Sequence, residues 1–551
     1  MINYLKKQLN LQTLEFSKDL SKGHLTSKDG FVKAKEYKLS PKETAKKLVS
    51  GFVTLPDMVK EVEVAGGGFI NIYLTNRFLL EKLKTVGAEQ NQTPQVGPKK
   101  KVMIEYTDPN PFKVFHIGHL LPNIIGQSLS NIFEYLGYNV KRVNYQGDVG
   151  MHVAKAIYGI QKLGGLKQVE NKSLEERIEF LGKAYVLGAD LFEKNNDAKK
   201  DVKELNKKVY LKSSSILYEY DLGKKWSLEK FEEIYKRLGT KFDYYYFESD
   251  TAKVGLEVVK EGMKQGVLEK SEGAIVFKGE KEGLHTRVFV NSEGLPTYEA
   301  KELGLAKTKY KDFPYDLSIV VTGNEINEYF KVLLSVLSKL YPKLGKRTKH
   351  VGHGMLTLSN GKMSSRTGNV IYGEDLLNIA VDQVSKILST RKDLSDSEKL
   401  KIKKLVGIGA VKYMILKPKV GTNIVFDIEE SVKYEGNSGP YLQYTCVRAN
   451  SILSKISTST DTVNMQSVEI ELILKLAQFN DIILKCADQF SPHYLSNYLF
   501  ELASLFNSFY VKVKVDEGTT TKKYRLQIVK NVSETLTIGL GLLGIKVPSK
   551  M

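Results

Sequence analysis

Apolar residues recur at Leu121, Ile124, Ile125, Leu129, Ile132, Phe133 and Leu136, a 3.6-residue spacing that ends at Gly137. That pattern predicts an amphipathic helix closed by a glycine. Pro122 fits only in the first turn of such a helix, so the helix must begin just upstream. The short apolar run Lys101 to Tyr106 precedes it and the run Val140 to Tyr145 follows it, and both read as buried strands. Strand, loop, helix, strand is the opening of a parallel nucleotide-binding sheet, whose ligands are expected at the carboxyl ends of the strands.

Elsewhere the patterning divides the chain. Residues 1–97 read as a small α+β domain containing an alternating strand from Gly67 to Leu74. The polar, Pro- and Gly-containing run Gln90 to Pro98 marks a boundary. A Rossmann-type domain is expected over 98–380, interrupted at about 155–285 by charged amphipathic helices read as an insertion. Its short strands resume at Arg287–Val290 and Leu317–Val321. A helical connector follows over 381–430, including a Ser395 to Leu416 helix that opens with a Ser395/Glu398 capping box. Residues 431–551 read as almost wholly helical. There Ser491-Pro492 starts a helix with Leu495, Leu499, Leu502, Phe506 and Phe509 on one stripe. The fold class is thus multidomain α/β plus α.

At 551 residues the chain exceeds a single core. Its composition, 42% hydrophobic and 26% charged, is that of a folded protein, and no run approaches the ~20 apolar residues of a membrane span. Met1 to Lys7 is not followed by a secretory apolar segment, so a cytoplasmic location is expected. Cys446 and Cys486 are too few for a disulfide framework or a four-ligand zinc site and read as core, so no protein-bound metal is expected. The formal charge of +19 suits a phosphate-backbone partner, although a general lysine-rich bias would produce the same number.

Chemistry concentrates in two segments. In Phe115-His116-Ile117-Gly118-His119, two imidazoles three residues apart sit at a helix start, where free N–H groups favour an anion. Gly118 leaves room between them for a base or ribose. About 240 residues later Lys362-Met363-Ser364-Ser365-Arg366 forms a glycine-flanked, basic, hydroxyl-rich loop that could close over a triphosphate, with Lys362 and Arg366 neutralising the leaving pyrophosphate. Surface histidines and a solvated basic turn are the bland alternatives. Both motifs together, in this order, favour adenylate-forming chemistry.

With these motifs the chain resembles the class I aminoacyl-tRNA synthetases, and among them the arginyl-tRNA synthetases. The resemblance runs through Glu105-Tyr106-Thr107-Asp108-Pro109-Asn110, Val143 to Asp148, Gly439 to Tyr444 and the ending Leu543 to Met551. Ala65 to Leu74 resembles part of that family's N-terminal tRNA-binding domain.

The resemblance implies that ATP, with Mg²⁺, and arginine form arginyl-adenylate, and that the arginyl group passes to the terminal ribose of tRNA(Arg). It implies a monomer. It assigns catalysis to Lys113, His116, His119, Lys362 and Arg366, and nucleotide contacts to Asn110, Pro111, His116, Gly118, His119 and Lys362 to Ser365. Arginine is assigned Glu105, Asn110, His116, Tyr298 and Glu302, the last standing where the family has Asp. Ile326 replaces a polar residue of the family, leaving Asn324 or Glu325 for that contact. Ser365 replaces a lysine and Thr367 a basic residue, so Lys113 is expected to supply the missing charge. For tRNA, Tyr441, Tyr444 and Arg448 share one helix face suited to unpaired anticodon bases, although a tyrosine stripe also suits a core. Asn71 and Tyr73 are expected at the tRNA elbow. A class I synthetase for another amino acid stays open, as does a tRNA-binding chain without catalysis, which the intact His116, His119, Lys113 and Lys362 disfavour.

Overall fold

The computed structural model describes residues 1–17, 19–91, 100–359, 372–455, 458–460, 465–513 and 520–551. Near the amino end, β1 (Glu15–Phe16), β2 (Leu25–Ser27), β3 (Val59–Ala65) and β4 (Phe69–Leu74) form an antiparallel sheet in the order β1-β2-β4-β3. Ile70, Ile72 and Leu74 of β4 face the core, as the alternation predicts. The helix Asn76–Asn91 then packs on the helix Lys523–Leu542, where Asn531 Nδ2 donates to the Leu83 carbonyl at 2.7 Å.

The central sheet is parallel throughout. It comprises β5 (Lys101–Glu105), β6 (Asn139–Gln146), β7 (Tyr244–Phe247), β11 (Leu317–Gly323) and β12 (Thr348–His353), in the order β12-β11-β5-β6-β7. The helix Ile117–Tyr135 crosses from β5 to β6 with Leu121, Ile124, Ile125, Leu129, Ile132 and Phe133 buried, and the turn after it takes φ of 84° at Gly137. Gly126 lies on the Tyr106 ring, where an added Cβ would stand 2.2 Å from it, so the helix can approach β5 this closely only without a side chain there.

Two expectations about the middle of the chain need correction. Helices Met151–Lys162, Leu174–Lys194, Asn196–Leu211 and Leu217–Leu238 fill the charged stretch, but the parallel sheet resumes within it, at β7. The run Tyr244-Tyr245-Tyr246-Phe247 has no polar alternation and lies between charged helices, which hid it. Arg287–Val290 (β10) is not in the parallel sheet. It pairs antiparallel with β9 (Ala274–Phe277), which pairs with β8 (Glu269–Ser271), in a separate three-stranded sheet.

The helix Asp396–Leu416 opens on the Ser395/Glu398 capping box. Within the helix His493–Val513, the five stripe residues Leu495, Leu499, Leu502, Phe506 and Phe509 are fully buried, as are Cys446 and Cys486. One continuous apolar core runs from Leu5 through the helix Ile117–Tyr135 to Ile545. Among the described residues no helix is long and apolar enough to cross a membrane.

Candidate active site

The loop between β5 and the helix Ile117–Tyr135 leaves the carboxyl edge of the sheet in a strained path. Thr107, Asp108 and Phe112 have φ of 85°, 44° and 69°, left-handed values that cost non-glycine residues roughly 1–3 kcal/mol each. Three hydrogen bonds hold them there. Thr107 Oγ1 accepts from Asn123 Nδ2 at 2.9 Å, Asp108 Oδ1 from the Tyr145 amide at 2.9 Å, and the Phe112 amide donates to Ser227 Oγ at 2.9 Å. The loop therefore meets the helix in one fixed geometry.

At that junction the His116 and His119 rings stack, with centroids 3.8 Å apart and planes at 23°. His119 is buried against Phe115, and its Nδ1 faces the His116 amide at 3.4 Å. An accepting Nδ1 leaves the proton on Nε2. Burial, and then the Lys113 ammonium, lower His116 to about 4. Burial, then His116 and Lys113, hold His119 well below the ordinary histidine range. Both rings are thus neutral at pH 7 and can donate hydrogen bonds without carrying charge. Gly118 is required here, because an added Cβ would stand 2.8 Å from the His116 ring.

Lys113 is the cation close to both rings. Its ammonium lies 5.2 Å from the centre of the Tyr185 ring, and burial and Lys155 lower its pKa. Asn110 Oδ1 rests on Gly147, where an added Cβ would come within 2.3 Å, and Pro111 is buried beside it. Residues 362 to 366 lie outside the described residues. The Gly373 amide, just beyond them, donates to the Phe115 carbonyl at 2.9 Å, so the chain returns beside His116.

A second group of side chains is acidic. Glu105 is 1% exposed and bonded to the buried Lys309 ammonium. Burial, and then the nearby Glu105, push both Asp108 and Glu302 well above the usual carboxylate range. Next to them Glu248 pairs with Lys301. Tyr298 is 59% exposed and so is no core ring; it stands with Lys113, Tyr185, Tyr210 and Lys301 around a cavity of about 440 Å³.

Comparison with known proteins decides the family. Residues 82–428 match the model of the class I tRNA synthetase (R) catalytic domain, 3–74 the arginyl-tRNA synthetase N-terminal domain and 442–551 the DALR anticodon-binding domain. The chain belongs to the arginyl-tRNA synthetase family. It is 32% identical to the arginine–tRNA ligase of Flavobacterium psychrophilum, over 93% of this chain and 90% of that one. It is 30% identical to that of Porphyromonas gingivalis, over 98% and 95%. Its fold is similar to the Thermus thermophilus arginyl-tRNA synthetase, with TM-score 0.81 and 23% identity over 100% of this chain and 98% of that one. The Plasmodium falciparum enzyme gives 0.79 and 20%, over 100% and 97%.

Within this arginyl-tRNA synthetase fold some expected contacts are redirected. Glu105 is closed off by Lys309 and does not line an open pocket, because a carboxylate this deep needs a counter-ion. Glu325 is exposed and folds back over Gly323, towards His353 on β12, so it does not join the carboxylate group. Asn71 is 4% exposed and accepts from Thr26 Oγ1, its neighbour across the sheet, at 3.1 Å. Tyr73 is half-buried, its hydroxyl 3.2 Å from the Ser21 carbonyl. Tyr441, Tyr444 and Arg448 are brought together half-buried. Asn507 donates to the Tyr441 hydroxyl at 2.9 Å and accepts from Arg448, which also donates to the Tyr444 hydroxyl at 3.1 Å.

Sequence reasoning missed several groups. Asp148 is fully buried; burial opposes its charge, but Lys224 and the Ser249 amide and hydroxyl outweigh it and hold its pKa down. Asp108, Glu248, Lys301 and Lys309 were also overlooked. Lys301 and Lys309 lie eight apart on the helix Tyr298–Asp312, with Leu305 between them, a spacing that signals two cations on an inward face and hence buried carboxylates opposite.

Proposed function

We infer that the chain is an arginine–tRNA ligase, which activates L-arginine with ATP and transfers the arginyl group to the 3′-terminal ribose of tRNA(Arg). In the first step the arginine carboxylate attacks the α-phosphorus and pyrophosphate leaves. In the second the ribose hydroxyl attacks the acyl carbonyl and AMP leaves. The observation that carries this reading is the pair of neutral, stacked imidazoles at the carboxyl edge of the parallel sheet, beside Lys113.

Such a pair stabilises phosphoryl oxygens as charge develops and moves no proton of its own. Lys113, with Lys362 and Arg366, neutralises the leaving pyrophosphate, and Met363, Ser364 and Ser365 bind the nucleotide. Asn110, Pro111 and Gly118 shape the nucleotide seat. Mg²⁺ enters with the triphosphate. Glu302, with Asp108 beside it, takes the guanidinium under Tyr298, and both carboxyls ionise when that cation arrives. Tyr441, Tyr444 and Arg448 meet anticodon bases, and Tyr73 the elbow. The working form is a cytoplasmic monomer.

The test is a charging assay with tRNA and each of the twenty amino acids. Arginine alone should be charged, and pyrophosphate exchange should depend on tRNA. Exchange with glutamate or cysteine but not arginine would overturn the reading.

A further inference from the structure

Three cations meet at a junction remote from the imidazoles. The end of the helix Leu217–Leu238, the helices Ile117–Tyr135 and Asp396–Leu416, and the turn after Leu542 enclose a cavity of about 320 Å³. Arg237, Lys412 and Lys546 line it with Gln127 and Asn131, and among the described residues no carboxylate does. Lys412 is 4% exposed, and its ammonium donates to the carbonyls of Leu238 and Gly544, each at 2.6 Å. These acceptors lie at the ends of two helices, where carbonyls lack partners, so they account for two of its three N–H groups.

They do not account for the other charges. Arg237 makes no hydrogen bond or ion pair among the described residues. Glu374 and Asp382 act on it only at a distance, and Glu374 is bonded to Lys230 at 3.2 Å. Lys546 is exposed and likewise makes no ion pair among the described residues. The amides are already engaged: Gln127 Nε2 donates to Asn131 Oδ1 at 2.8 Å, and Asn131 Nδ2 to the Gly541 carbonyl at 3.2 Å. Burial, and then Lys546, lower Lys412 to about 7.

We propose that this junction binds one phosphate group, gripped by Arg237, Lys412 and Lys546, which braces the central sheet's helices against the connector and the carboxyl-terminal turn. An arginine fork accepts carboxylate and phosphate alike, but three cations exceed the single charge and two oxygens of a carboxylate and suit the further oxygens and charge of a phosphate. The phosphate is either a free anion or part of a nucleic-acid backbone, and the second source alone rests on the tRNA reading above.

Inorganic phosphate is titrated into the full chain at constant ionic strength by calorimetry, and tRNA in parallel by filter binding. The variants are Arg237→Ala and Lys546→Ala, whose side chains sit at the rim, so their thermal midpoints in chloride should match the wild type. A loss of threefold or more in phosphate affinity supports a free anion, and the same loss for tRNA supports a backbone phosphate. If both affinities stay within threefold in both variants, the proposal is wrong.

Discussion

Replacing Lys309 with methionine keeps the length of the side chain and removes the ammonium that, among the described residues, is bonded to Glu105. Glu105, which is buried, and Asp108 and Glu302, which are half-buried, then form an acidic wall without it. Breaking a buried pair from one side costs about 3–5 kcal/mol when the remaining charge has no escape. Here it has one, because a carboxyl can take up a proton. The cost of keeping that proton is about 1.4 kcal/mol for each pH unit above the unfolded glutamate value near 4.3. The loss is therefore capped at ~3.7 kcal/mol at pH 7 and falls to ~1 kcal/mol at pH 5. The sign is that of Asp108 and Glu302, whose carboxyls burial and Glu105 push up: such a carboxyl is favoured at low pH and penalised as pH rises. Urea unfolding of the wild type and Lys309→Met at pH 7 and pH 5 measures both losses. Equal losses at the two pH values, or none at pH 7, would refute the argument that this ammonium balances the wall.

Other expectations follow from the imidazole junction. His119→Ala should lower the rate of adenylate formation by about 10²–10³-fold, as for loss of one preorganised donor, while tRNA affinity measured by filter binding stays within twofold. Gly118→Ala drives a methyl group into the His116 ring and should lower kcat in pyrophosphate exchange at least tenfold, with the thermal midpoint nearly unchanged. His116 and His152 are held neutral at about 4 and about 3, below the unfolded value near 6.5, so the unfolded chain binds protons first as pH falls. The contribution of these two rings should be full above pH 6.5 and decline towards pH 4, opposite in sign to that of the raised carboxyls of Asp108 and Glu302, and thermal melts of the wild type and His152→Gln across that range separate the two. Raising salt from 50 to 200 mM should weaken tRNA binding steeply and leave arginine binding almost unchanged.

Periodic elements were readable from the chain wherever one side faced a core. The helix Ile117–Tyr135, the capping box at Ser395 and the stripe of His493–Val513 all announce themselves through spacing. β7 did not, because four consecutive aromatic residues carry no period. At the site, His116, Gly118 and His119 could be picked out together because their spacing is local, and the two rings do stack as that spacing implies. The roles of Lys309 and Glu105 could not be, because which carboxylate is closed by an internal ammonium is settled by packing between β5 and a helix two hundred residues later.

The seam between Leu83 and Asn531 joins residues 448 positions apart. At about 5–20 residues per second, a ribosome needs roughly 20 to 90 s to deliver the second partner after the first. For that interval the apolar face of the Asn76–Asn91 helix has no permanent cover, so the amino-terminal part of a nascent chain is a natural client for holding chaperones until synthesis is nearly complete.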